Sequence, residues 1–114
     1  MSQKQQQMAL QLQQIKQNLQ NIMMQKENLK NQKREVKEAL DEIEEGDELY
    51  KSVGTLIVKK EPKKMEEELE EKREDLEVKI KSTEKKEDKF KERMEQIQNK
   101  LNQSMSGNVP GAAQ

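Results

Sequence analysis

Cysteine, histidine and tryptophan are absent from the 114 residues, and aromatic side chains are reduced to Tyr50 and Phe90. Without cysteine there is no disulfide and no thiolate metal site. Without histidine the usual zinc ligand and the commonest general base are missing as well. No glycine-rich phosphate loop occurs either, so no enzyme, cofactor or bound metal is expected. A hydrophobic content of 30% cannot fill a wide globular core in a chain of this length. No apolar run approaches the roughly 20 residues that cross a bilayer, and the opening "MSQKQQQM" lacks the apolar core of a signal peptide, so a cytoplasmic location is expected. An excess of charge of either sign is missing too. With 22 basic and 23 acidic residues the net charge is −1, and the composition offers no global field for nucleic acid or a membrane surface.

What is present is charge in quantity, 39% of residues, threaded by hydrophobic periodicity that a disordered chain would not show. Apolar residues fall at Met8, Leu12, Ile15, Leu19, Ile22, Leu29, Val36, Leu40 and Ile43, the four-three spacing of a heptad seam interrupted by Lys26 and Lys33. No proline or glycine precedes Gly46, which stands where a left-handed residue commonly ends a helix, so a first helix is expected over about residues 8–45. Pro62 suits the first turn of a second helix over about 62–102. Its seam runs Met65, Leu69, Arg73, Leu76, Ile80, Thr83, Glu87, Phe90, Met94, Ile97 and Leu101, with an early double step of four that resembles a stutter. Residues 103–114, rich in small residues without periodicity, read as a disordered tail.

Helices of matched length, about 55 to 60 Å each at 1.5 Å per residue, fold most simply into an antiparallel two-helix coiled coil within a single domain. The acidic end of helix 1, "EALDEIEEGDE", and the basic start of helix 2, "KKEPKK", each oppose their own helix dipole and complement one another side by side. Counting outward from Ile43 opposite Met65 brings Leu19 to Phe90, Leu12 to Ile97 and Met8 to Leu101. It also brings Lys26 within reach of Glu87, and a separation beyond roughly 8 Å would reject the register.

Between the helices, residues 48–60 contain "LYKSVGTLIVKK", whose Val, Ile, Leu, Thr and Tyr about a central glycine indicate two short strands and a tight turn. A simple cap would need only a few residues. An isolated two-stranded hairpin is marginal in water and exposes strand edges, so association with other chains through shared β-structure is the stronger inference.

The stretch "YKSVGTLIV" followed directly by the charged helix with "EELEEKREDLE", between two heptad helices, resembles the β-type subunit of archaeal prefoldin over nearly the whole chain. The α-type subunit carries two hairpins; one is available here. The resemblance implies a mainly α fold whose hairpin joins an inter-subunit β-barrel, in a hexamer of two α-type and four β-type subunits. Tyr50, Val53, Gly54, Leu56, Ile57 and Val58 would then form the assembly platform. It further implies an ATP-independent chaperone that grips non-native clients at the coiled-coil tips and passes them to a group II chaperonin.

The residues at those tips are Met1, Met8, Leu10, Leu12, Ile15, Met94, Ile97, Leu101 and Met105, four of the seven methionines among them. Flexible, polarizable methionine suits a surface that must accept many sequences. Seam side chains would reach a client only if fraying opens the terminal turns, whereas Leu10, Met1 and Met105 fall off the seam. The Gln-rich start reads as a solvated outer face, and "KMEEELEEKREDLE" spreads its carboxylates around a helix rather than forming a cation site. The alternative to a chaperone is a structural coiled-coil adaptor or tether with no client-holding activity, which heptads alone would equally support.

Overall fold

A computed structural model describes residues 2–107, which form α1 (Gln3–Glu42), β1 (Leu49–Val53), β2 (Leu56–Lys60) and α2 (Pro62–Gly107). The expected fold class holds: two long helices with one two-stranded antiparallel hairpin between them. The chain divides into a terminal unit, Met1–Lys26 with Ser82–Gln114, and a hairpin unit, Glu27–Lys81.

In the terminal unit α1 starts five residues before the expected Met8, and its cap explains why. Ser2 Oγ accepts from the Gln5 backbone N–H at 3.1 Å while the Ser2 N–H donates to Gln5 Oε1 at 2.9 Å, a reciprocal capping box. The free Nε2 of the same amide donates to Ser104 Oγ at 3.0 Å, on the register that the seam count predicts. Gln5 is only 4% exposed, so a buried amide has its needs met by the cap and by the facing helix together. Residues 103–107 are accordingly helical rather than part of a tail; residues 108–114 lie outside the described residues. Leu12, Ile15, Leu19, Ile22 and Leu101 are buried along this seam.

The same unit holds the expected polar layer. Lys26 Nζ donates to both oxygens of Glu87 at 2.9 and 3.1 Å, well inside the limit set for the register. Glu87 and its neighbour Thr83 are buried. The carboxylate bonded to it raises the Lys26 pKa against the opposing effect of burial, with Glu84 and Asp88 adding to the rise.

In the hairpin unit Val36, Leu76 and Ile80 are buried, and Met65, Leu69 and Arg73, the stretch with the double step of four, are half-buried. α1 ends at Glu42 rather than near Glu45. Its last turn carries no basic residue and several acidic ones, unfavourable at the negative end of the dipole. The chain instead closes a turn in which the Asp47 N–H donates to the Glu44 carbonyl at 3.2 Å and the Glu44 N–H donates to Asp47 Oδ2 at 2.8 Å. Gly46, with φ +87°, takes the third position of that turn, where a type II geometry requires positive φ. It is thus a turn residue beyond the helix rather than the residue that ends it. α2 begins as its proline predicts, the Met65 N–H bonding the Glu61 carbonyl at 3.0 Å across Pro62 at the first helical position.

The hairpin register pairs Leu49 with Lys60 and Val53 with Leu56, leaving Gly54 and Thr55 as a two-residue turn. Gly54 has φ +61°, and among the described residues no non-glycine residue has positive φ, the pattern of a type II′ turn with glycine first.

Candidate functional site

Strand pairing sorts the hairpin into two faces. Leu49, Lys51, Val53, Leu56, Val58 and Lys60 share one, and Tyr50, Ser52, Ile57 and Lys59 the other. Neither is covered: Tyr50, Val53, Leu56, Ile57 and Val58 are all exposed, Ile57 at 73%. Five large apolar side chains on a ten-residue strand pair, with one unpaired edge on each strand, form a surface that water does not favour and another chain can complete. Gly54 is placed for its backbone conformation, since a Cβ there would meet nothing within 4 Å.

One carboxylate of α2 reaches back to both strands. Glu68 accepts from Lys51 of β1 at 3.1 Å and from Lys60 of β2. Hydrogen bonds from Lys60 and then Lys51 hold its carboxyl below the usual glutamate range. A depressed folded-state value means that the clamp contributes above the ordinary glutamate pKa and is lost as pH falls through the lowered one. Protection factors of the hairpin amides, taken relative to the intrinsic exchange rate at each pH, are therefore expected to fall below that point, and Glu68→Gln to remove that fall; hydrogen exchange of residues 49–60 across acidic pH measures both.

The proposed client residues divide by exposure. Leu12, Ile15 and Leu101 are buried at 5–7%, Met8, Met94 and Ile97 are half-buried, and Leu10 (65%) and Met105 (48%) are exposed. Met1 lies outside the described residues. Rather than frayed, the described terminal turns are closed by the Ser2–Gln5 box and the Gln5–Ser104 bond. The signal S-x-x-Q stands in the sequence at Ser2–Gln5 but is hidden within a glutamine-rich run. Exposed Met23 (55%) and Met24 (71%) of the same unit are not among the expected client residues, because neither lies at the coiled-coil tip.

Net charge near zero conceals a partition. The terminal unit holds nine basic and five acidic residues, net +4, and the hairpin unit thirteen and eighteen, net −5. No carboxylate precedes Glu27. Among the described residues no acidic cluster could hold a metal ion, and no helix is long and apolar enough to cross a membrane.

Paired heptad helices bearing one uncovered hairpin define a subunit of an oligomeric coiled-coil assembly. A family model described as a prefoldin subunit matches residues 6–108, and the chain belongs to the prefoldin family. It is similar to the crystal structure of the prefoldin beta subunit from Thermococcus strain KS-1, at 36% identity and a TM-score of 0.85, covering 90% of this chain and 93% of that one. No curated protein matches. Membership supports a non-enzymatic chaperone role and assembly with other prefoldin subunits.

Proposed function

We propose that this chain is the β-type subunit of a cytoplasmic hexamer of two α-type and four β-type subunits, which captures non-native proteins without ATP and delivers them to a group II chaperonin. The observation that carries the reading is the uncovered hairpin, with Tyr50, Val53, Leu56, Ile57 and Val58 all exposed, on a chain that matches a prefoldin β subunit along nine-tenths of its length. A tether would need the heptads but not this strand pair. In the hexamer the hairpins supply a β-barrel platform, with Gly54 shaping the turn between its strands. The terminal unit holds the client: Leu10 and Met105 offer apolar surface as they stand, and Met1, Met8, Leu12, Ile15, Met94, Ile97 and Leu101 contribute as the closing bonds give way. One such surface binds weakly, so capture depends on several acting together.

Removing residues 1–10 and 102–114 takes away Leu10, Met105 and the Gln5–Ser104 bond while sparing the hairpin. The truncated chain, assembled with an α-type partner, is expected to keep the native mass of its oligomer and lose suppression of aggregation of a denatured model protein. Undiminished protection by the truncated assembly would remove these terminal turns from the mechanism.

A further inference from the structure

Heptad coiled coils ordinarily place opposite charges on the two sides of the seam, where they pair between helices. The terminal unit does the reverse on one flank. Lys16 of α1 and Lys91 of α2 line one groove, whose floor is Leu19 and Met94 and whose remaining rim is Glu95, Gln98 and Asn99. Lys16 makes no ion pair among the described residues. Lys91 reaches only Glu87, at 3.9 Å, and that carboxylate already holds Lys26 at 2.9 Å. Glu95 makes no ion pair with either lysine. α1 cannot supply the missing charge, because it carries no carboxylate within this unit.

The flank continues with apolar side chains on both helices, and with one further carboxylate, Glu84, seven residues before Lys91. Met23 lies seven residues beyond Lys16, and Met105 fourteen beyond Lys91, so heptad spacing sets each on the same side of its helix as the lysine. Both methionines are about half exposed. Two cations without dedicated partners thus border an apolar floor that runs on into flexible apolar side chains, within a unit of net charge +4. What complements this surface is a chain segment with an apolar side chain to fill the groove and a carboxylate beside it to meet the lysines.

We propose that this groove is the specificity element of client capture and that it selects non-native segments in which aliphatic residues are flanked by Asp or Glu. The proposal rests on the capture reading above and names the class of segment captured. Basic flanks are disfavoured by Lys16 and Lys91, and in the groove itself meet only Glu95. Because both lysines are exposed, the selection is electrostatic and falls with ionic strength.

Two fluorescent peptides test it, of equal length and identical leucine positions, one flanked by glutamate and one by lysine, titrated against the assembled complex. The glutamate peptide is expected to bind about tenfold more tightly at low salt, with the ratio collapsing toward one near 0.5 M. Lys16→Glu with Lys91→Glu should reverse the preference, and Lys16→Gln with Lys91→Gln should abolish it, circular dichroism remaining that of the parent. Equal binding of the two peptides, or an unchanged preference in the reversed-charge variant, overturns the proposal and leaves capture standing. Failure of both peptides to bind, together with no suppression of aggregation, overturns the capture reading itself and this proposal with it.

Discussion

Ile57→Asp is expected to leave the chain folded and helical but unable to enter an oligomer with other prefoldin subunits. Ile57 is 73% exposed, so the substitution removes almost no packing from the isolated chain and should change its stability by no more than about 0.5 kcal/mol. In an assembly the same position, beside Tyr50 on the face opposite the lysines that clamp Glu68, would be covered by another chain. Burying an unpaired carboxylate there costs several kcal/mol, and at about 3 kcal/mol per interface the association constant falls more than a hundredfold. Native mass spectrometry of the variant mixed with an α-type partner reads the assembly, and circular dichroism reads the fold. An intact oligomer would show that subunits join elsewhere than through this face.

Replacing Glu87 with leucine should destabilise the chain by about 2 kcal/mol, and replacing Lys26 with leucine as well should restore most of the loss. Glu87 is 6% exposed and accepts two hydrogen bonds from Lys26, so its removal strands an ammonium on the seam. The expected cost lies below that of a fully buried pair because the Lys26 side chain, 22% exposed, can turn its charge toward water. Two leucines would continue the apolar seam from Ile22, giving up the layer that marks the register. Thermal unfolding of the two variants measures the difference, with a fall of roughly 10 °C for the single change. The pair also predicts behaviour at high pH. Since Glu87 raises the Lys26 pKa, its stabilisation is complete below the ordinary lysine value and is lost as pH rises through the raised one. A double leucine variant no better than the single one would mean that the loss lies in packing rather than in an unpaired charge.

Much of this architecture is legible because its causes are local or strictly periodic. The four-three recurrence from Met8 to Ile43 and from Leu76 to Leu101 names the seam, and the same count brings Lys26 to Glu87. Pro62 and Gly54 act through their own backbone preferences, and each stands where that preference predicts. Gly46 and Gln5 are harder to read. Where α1 stops depends on the Glu44–Asp47 turn competing with a weak last helical turn, and where it starts depends on one glutamine among several finding both Ser2 and Ser104.

Exposure in the terminal unit is the least legible feature, for a physical reason. Heptad position says which face a side chain takes, and exposure depends on what the facing helix covers. Leu12 and Leu101, expected at an opening tip, are closed over, while Met23 and Met24 off the seam stand in water. Charge behaves in the same way. A net of −1 is a property of composition, but +4 and −5 emerge only when the chain folds back and sets residues 82–107 against the carboxylate-free start of α1.

By itself, then, the sequence determined the helices, their pairing register and an unpartnered strand pair between them, since periodicity, proline and glycine act over a few residues at a time. Only the tertiary structure decided which apolar groups remain in water, that one carboxylate holds both strands, and that two lysines flank one groove. Each of these depends on residues that the fold brings together from separate elements, which no local pattern in the sequence records.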